Sequence, residues 1–596
     1  MLIKKILTLN VILLFIGVSI QPAIAHNEEI ISYNKGKNMI INNAQTWEWA
    51  KSAGGKGRDF GFGIVIDNND NTYITGLFNG SVMFGNINLI SKGYWDVFIA
   101  KLDSNGIWKW AKSAGGKSSE DGCDIAMDNI GNVYITGSFN GSALFGTTSL
   151  TSQGEYDIFI AKLDTDGIWQ WAISAGGINY AGGYGVTADN IGNVYIIGGF
   201  NGSALFGTTS LTSQGLDDVF VTKLDTDGNW QWAKRAGGKN FTFGSSVAVD
   251  NSGNVYITGI FSNYTLMDNI SLFSQGSWDV FVAKLNSDGI WKWAKSAGGN
   301  NIDYSSSIAL DNNGNVFITG SFIGVAWFYN ITLRSQGQSD VFIAKLDTNG
   351  IWKWAKSAGG PWFDEGAGVW TDINGYVYIT GCYQGKANFG STSFPYKSNL
   401  NVFIAKLDSK GTWYWANSAG GKSSEEGCDI AVDKCGNVYI TGYFNSTALF
   451  GDINLTAKGR EDIFIAMLSD INQPPEAPNI QGPSSGILNY EYEYIFNSTD
   501  PNLHPIMYFV DWGDNNTEWT EFSDSGDEIT LKHIWENKGT YLIKAKSKDI
   551  YDAESNWSEF EINIPRTTAT TNYMWFHWLL ERFPLLERLL NLIRYS

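Results

Sequence analysis

The nine residues Trp108–Gly116 read WKWAKSAGG, two tryptophans two positions apart followed by a run of small residues. Such a pair serves either as a stacking platform for sugars or as packing. The stretch recurs: its second tryptophan stands at Trp49, Trp110, Trp171, Trp232, Trp293, Trp354 and Trp415, each 61 residues after the last. A second motif, DVFIAKL at Asp96, returns at Asp157, Asp218, Asp279, Asp340, Asn401 and Asp462 with the same step. A fixed internal period decides architecture before any local reading does. The residue between the tryptophans varies freely: Glu48, Lys109, Gln170, Gln231, Lys292, Lys353, Tyr414. Residues i and i+2 of a strand share a face. The pair is therefore expected to line the buried side as unit-to-unit core, needed once per unit, with the middle residue facing out.

One unit contains a short alternating run DIAMD (124–128), a glycine turn NIGN, and a β-branched strand VYITG (133–137). A long connection with room for extra hairpin material follows. DIFIAKLD, the turn TDG and IWQWAISAGG complete the unit. That makes four main strands and no helical period. Both faces of DVFIAKL are apolar, so both must be covered. Four-stranded antiparallel units repeated radially make a β-propeller. An open solenoid is the rival, but its coils are usually shorter. The first unit carries only its last strand, from Thr46, and the last unit stops near Asp470 without that strand. The expected fold is all-β: a seven-bladed propeller over 44–470, closed by the N-terminal strand, which leaves no open sheet edge between first and last units.

The stretches GCDIAMDNIGNVYITG and DIFIAKLDTDG resemble the seven-bladed β-propeller (SBBP) repeat family of bacteria and archaea, although the units here are longer. The resemblance implies that DIAMD lines a central channel and that WKWAKSA lies outermost. Beyond a proline-rich entry, YFVDWGDNNTEW (508–519) and HIWENKGTYLIKAKSKD (533–549) resemble the polycystic kidney disease (PKD) domain, an immunoglobulin-like β-sandwich, expected over 471–565. Asn515 replaces the last glycine of that family's WGDG turn, and asparagine tolerates the left-handed conformation. Such domains act as spacers or adhesion modules.

The ends carry address information. Lys4, Lys5, an apolar run and Ala23-Ile24-Ala25 read as a signal peptide over 1–25, with an uncleaved anchor as the alternative. Residues 26–43 form a lead-in. Residues 566–596 end in an interrupted apolar segment. After Pro584 its leucines share one helical face, which suggests a short amphipathic helix with peripheral membrane contact through 573–594, or one packed on a neighbour. Export to the cell surface or medium is the expected localisation.

A net charge of −19 with sparse basic residues argues against nucleic acid. Four cysteines are too few for a disulfide scaffold, and none of the four histidines lies between residues 27 and 503, so no His-based triad or metal site forms in the repeats. Aspartates in turns such as DTDG suggest calcium, but Lys410 occupies a ligand position in one copy, and hairpin chemistry explains the pattern better. No cofactor and no catalytic residue are expected. Asn79, Asn140, Asn201 and Asn445 hold one repeat position in Asn-x-Ser/Thr sequons and are glycosylation candidates. Function is expected where the repeat varies, in the loops after SAGG: Arg58, Asp59, Phe60, Tyr180, Phe241, Asp303, Tyr304, Trp362, Phe363, Asp364 and Glu365. Acids mixed with exposed aromatics suit a glycan or a surface protein. The expected function is a non-enzymatic, exported binding or adhesion protein. A carbohydrate-active enzyme using loop carboxylates and a structural envelope component are the alternatives.

Overall fold

The computed structural model describes residues 45–470, 472–502 and 504–565. The expected signal peptide, lead-in and C-terminal tail with its helix lie outside the described residues. The chain divides into two compact units, 1–470 and 471–596.

The first unit is all-β among the described residues and holds seven four-stranded antiparallel arrays, with a short hairpin between the second and third strands of each. In one of them Asp59–Ile66, Thr72–Phe78, Asp96–Leu102 and Trp108–Gly116 lie side by side in chain order. The second strand is buried at every position and the third at all but its lysine, which is why neither alternates in polarity. The turn before the fourth strand is held by its own aspartate. Asp103 Oδ1 accepts the N–H groups of Asn105 and Ile107 at 3.0 and 2.9 Å, and Gly106 takes φ +70°. The sheet holding Glu425–Val432, Val438–Phe444 and Asp462–Asp470 takes its fourth strand from the far end of the unit. Gln45–Ala53 pairs antiparallel with Asp462–Asp470, from Gln45 opposite Asp470 to Ala53 opposite Ile463.

The long connection forms a hairpin, such as Ser142–Phe145 with Thr148–Thr151, and this hairpin joins successive sheets. It pairs with the end of the preceding fourth strand: Gly116 with Ala143, Gly237 with Leu266, Gly299 with Ala326. The approach explains the second glycine of SAGG. A methyl group at Gly116 would sit 1.8 Å from the Ser142 carbonyl oxygen, and one at Gly299 would sit 1.7 Å from that of Val325. Only glycine admits a backbone so close.

The tryptophans divide the remaining packing. The first of the pair meets a hairpin phenylalanine edge-on in six units, as Trp108 meets Phe84 at 5.0 Å, and packs with Met267 in the seventh, at Trp291. The second reaches the following sheet: Trp110 Nε1 donates to the Thr165 carbonyl at 3.2 Å and Trp171 Nε1 to that of Thr226 at 3.2 Å. Lys101 Nζ donates to the same Thr165 oxygen at 3.3 Å while lying over Tyr73. The pair is packing between sheets, with Lys109 exposed between its members.

The second unit is a β-sandwich. Asn479–Gln481, Glu491–Asn497 and Glu528–Ile534 form one sheet; Thr517–Trp519, Ile506–Asp511, Gly539–Asp549 and Ser558–Ile564 form the other. Trp512 and Trp535 are buried between them. His533 stacks on Trp512 at 4.6 Å and binds Asp514 at 2.8 Å, while Asn515 takes φ +73°.

Placing a side chain against the Val325 carbonyl is expected to be costly. Gly299→Ala should lower stability by about 3 kcal/mol, read as a shift in the urea midpoint at unchanged slope. A midpoint equal to wild type would show that the approach is not tight.

Candidate functional site

Each first strand follows a SAGG loop, and its pairing with the second strand is bulged at the same place in every sheet, between Gly61 and Gly63 and between Gly183 and Gly185 among others. A bulge re-aims the extra residue; here these residues include Phe62, Cys123, Tyr184 and Cys428. Parallel bridges tie six of the loops to the residue before the next-door DVFIAKL motif, among them Arg58 to Glu461, Tyr180 to Tyr156, Phe241 to Asp217 and Phe363 to Ser339. Loops, bulges and pre-motif residues therefore assemble at one end of each sheet.

Two aromatic groups result. Phe60 stacks with Phe62 (6.0 Å, 3°), leans on Trp95 (5.7 Å) and meets Tyr443 edge-on (4.8 Å). In the second group Phe241 lies parallel to Phe243 (6.1 Å) and to Trp278 (5.6 Å), and Phe243 contacts Tyr184 (4.4 Å). The Tyr180 and Tyr184 hydroxyls share a hydrogen bond of 2.6 Å, and Tyr304 packs on this group. Acids accompany the rings. Tyr443 donates a short hydrogen bond to Glu426, and burial pushes the Glu426 carboxyl above its ordinary range. Burial and then Asp218 raise Asp217 to about 6. Arg58 Nε pairs with Glu461 at 3.0 Å.

Of the expected loop residues, the structure brings Phe60, Tyr180, Phe241 and Tyr304 into these groups, although Tyr304 is buried. Arg58 and Phe363 sit at bridges, and Glu365 lies beside Cys382 on the paired strand. Trp362 is 41% exposed and packs on the backbone of Gly385. Asp59, Asp303 and Asp364 depart from the expectation that they face a ligand. They are 0–1% exposed, and each accepts the N–H of the second SAGG glycine: Gly55 at 2.9 Å, Gly299 at 2.6 Å, Gly360 at 2.7 Å. The loop turns their carboxylates inward to satisfy that donor, and burial raises all three to about 7. Phe62, Trp95, Tyr184, Trp278 and Tyr443 escaped sequence reasoning, whereas Glu426 lies in a loop where function was expected. The available signal was variation at the residue before a constant DVFIAKL: Trp95, Tyr156, Asp217, Trp278, Ser339, Leu400, Glu461.

Three of the sequon asparagines already use the amide nitrogen a glycan would occupy. The Nδ2 atoms of Asn79, Asn140 and Asn201 donate to the carbonyls of Tyr94, Glu155 and Leu216. Asn445, like the other three, donates its backbone N–H to the loop after SAGG, at the Ser424 carbonyl (3.2 Å).

A separate cluster lies within the second unit. Asp500, His504 and Asp549 are buried and offer ligand atoms within 4.8 Å of one another. Asp549 Oδ1 accepts two backbone N–H groups, whereas its Oδ2 is buried without a hydrogen-bond partner. Two carboxylates and an imidazole at this spacing can hold a divalent cation.

Residues 231–259 and 292–321 match the family description "Beta-propeller repeat" (SBBP). The chain is 23% identical, over 67% of its length, to an uncharacterized WD repeat-containing protein of Acanthamoeba polyphaga mimivirus, of which it covers 36%. It is 28% identical over 27% of its length to the regulatory protein FlaEY of Caulobacter vibrioides, of which it covers 17%. The chain thus spans well under half the length of both curated relatives. Among solved structures it is similar to the PKD domain of an M14-like peptidase from a Thermoplasmatales archaeon, with 44% identity, covering 16% of this chain and 99% of that one at a TM-score of 0.16. The PKD domain of the human VPS10 domain-containing receptor SorCS2 matches at 10% identity over 16% of this chain and 79% of that one, TM-score 0.14. The chain carries beta-propeller repeats in an all-β first unit.

The Asp500 cluster yields a direct expectation. Added Ca²⁺ or Zn²⁺ should raise the melting temperature of the second unit in calorimetry, and Asp549→Asn should remove most of the rise. An unchanged transition would mean that the three groups are only structural.

Proposed function

We propose that the seven sheets close into a seven-bladed propeller whose aromatic and acidic end is a binding mouth, and that the chain is an exported, cell-surface or secreted binding protein without catalysis. The observation that carries this reading is the pair of stacked aromatic groups around Phe60 and Phe241, built from positions that vary while the surrounding motifs repeat. Aromatic faces edged by carboxylates suit the CH faces and hydroxyls of a glycan, or the side chains of a surface protein. Ring closure is supported by the Gln45–Ala53 pairing and by first-strand contacts between the end sheets, where Ile64 N–H donates to Asp429 at 2.9 Å. The second unit, read as a PKD-like domain, spaces the mouth from the cell. The signal-like sequence of residues 1–25 favours export, and the leucine spacing after Pro584 favours a peripheral membrane contact.

A second reading has one observation in its favour. Glu426 is a buried acid hydrogen-bonded to Tyr443 beside the Phe60 group, and an acid with a raised pKa is what proton transfer to a leaving group requires. In that case the protein is a glycosidase or lyase.

The deciding experiment is capture from a glycan array and from intact cells by the full chain. Phe60→Ala and Trp278→Ala are each expected to weaken capture about tenfold or more, with Asp303→Asn leaving it unchanged. Capture by neither array nor cells would refute the binding mouth. Product release from a polysaccharide, lost in Glu426→Gln, would move the assignment to the enzyme.

A further inference from the structure

The acids turned away from the mouth recur with the period of the fold. The third-strand residue Asp96, Asp157, Asp218, Asp279, Asp340, Asn401 or Asp462 lies under the first SAGG glycine at each junction between sheets. The first residue of the next first strand joins it: Glu120, Ala181, Thr242, Asp303, Asp364, Glu425 and, for Asp462, Asp59. A methyl group at Gly298 would sit 2.7 Å from Asp279 Cγ and 2.9 Å from Asp303 Oδ2, so both acids crowd one glycine. At Gly359 the corresponding distances are 2.7 Å to Asp364 Oδ2 and 2.9 Å to Asp340 Cγ.

Four junctions therefore bury two carboxyl groups side by side, which two negative charges do not tolerate without compensation. Other junctions avoid the problem in sequence. Ala181 leaves Asp157 alone. Thr242 stands opposite Asp218, which Arg235 neutralises. Asn401 stands opposite Glu425, and its amide nitrogen donates away to the Asn399 carbonyl at 2.8 Å, which leaves its oxygen as an acceptor at the junction. An acceptor there calls for a donor on Glu425.

The first-strand acids show where that donor belongs. One oxygen of each accepts a glycine N–H, including Gly116 to Glu120 at 3.0 Å and Gly421 to Glu425 at 3.1 Å. The second oxygen of Asp59, Glu120, Asp303 and Glu425 is buried with no hydrogen-bond partner, whereas that of Asp364 accepts the Gln384 N–H at 3.2 Å and its glycine-bound Oδ2 is the oxygen that crowds Gly359 beside Asp340. We propose that Asp59, Glu120, Asp303, Asp364 and Glu425 are carried as neutral carboxylic acids, each O–H donating to the third-strand side chain of the preceding sheet, so that the first unit is a proton-loaded assembly suited to acidic surroundings.

Burial raises Asp59, Glu120, Asp303 and Asp364 to about 7 and Glu425 to about 8, with the adjacent Asp462, Asp96, Asp279 and Asp340 adding to the first four. The other charged groups facing these sites are Glu461 (paired with Arg58) and Lys458, then Lys92 and Asp121, then Lys397. A carboxyl raised above its unfolded value binds protons on folding. Its stability contribution is fully present below about pH 4, and it is lost as pH rises through about 7 to 8.

The test is proton release on urea unfolding of the full chain at pH 5.5. Wild type is expected to release about five protons more than the variant Asp59→Asn, Glu120→Gln, Asp303→Asn, Asp364→Asn, Glu425→Gln. In the wild type alone, so that a poorly folding variant leaves the proposal testable, the melting temperature of the first unit should fall by about 10 °C between pH 5.5 and pH 8.5. Release equal to the variant's, or a melting temperature that is flat or rising over that range, would overturn the proposal. So would stabilisation of the first unit's transition at pH 8.5 by millimolar Ca²⁺ that EDTA reverses and that persists in Asp549→Asn, since a cation and not a proton would then bridge the acids.

Discussion

The contact on which the first unit depends is a backbone carbonyl pressed against a glycine. At the end of each fourth strand the chain meets the hairpin of the next sheet so closely that no side chain fits between, as at Gly116 and the Ser142 carbonyl. Sheets with two apolar faces must be covered on both sides, and this approach sets how near the cover lies. The rest follows from that spacing. Trp110 is near enough to donate to the Thr165 carbonyl, Lys101 reaches the same oxygen, and the hairpin phenylalanine closes on Trp108. The same closeness drives the third-strand and first-strand acids under the glycines and out of water.

The junctions and the aromatic groups divide the loop after SAGG between them. Its residue at the Asp59, Asp303 and Asp364 position faces inward and satisfies a glycine N–H. The residues on either side, such as Phe241 or Phe60, are left to build the aromatic groups. One short segment therefore serves structure at a fixed position and, in the proposed function, recognition at its neighbours, so that the aromatic groups vary from sheet to sheet while the junction geometry stays the same.

Much of the first unit was legible because it is periodic. The 61-residue step, the four strands, the extra hairpin and the packing role of the tryptophans could each be read from repetition and alternation. The left-handed Asn515 in the second unit was legible from turn chemistry. What stayed hidden was direction. A loop acid before a strand looks like a surface ligand group until the glycine N–H it serves is in place, so Asp59, Asp303 and Asp364 were assigned to the wrong side. Trp95, Trp278 and Tyr443 were hidden because contacts between residues about 20 to 400 positions apart create their environment. The Asp500, His504 and Asp549 cluster was hidden for the same reason, since its last member lies 45 residues beyond its second.

The central structural claim is that the N-terminal strand completes the last sheet and so closes the ring. Thr46 and Ser469 are register partners, and the Ser469 hydroxyl donates to the Thr46 carbonyl at 3.1 Å. Facing residues of an antiparallel pair lie within disulfide reach. The double variant Thr46→Cys, Ser469→Cys, oxidised as a monomer and digested, should yield an N-terminal peptide joined to the peptide containing residue 469 under non-reducing conditions only. If the monomer remains unlinked, or links form only between chains, the N-terminal strand does not close the ring.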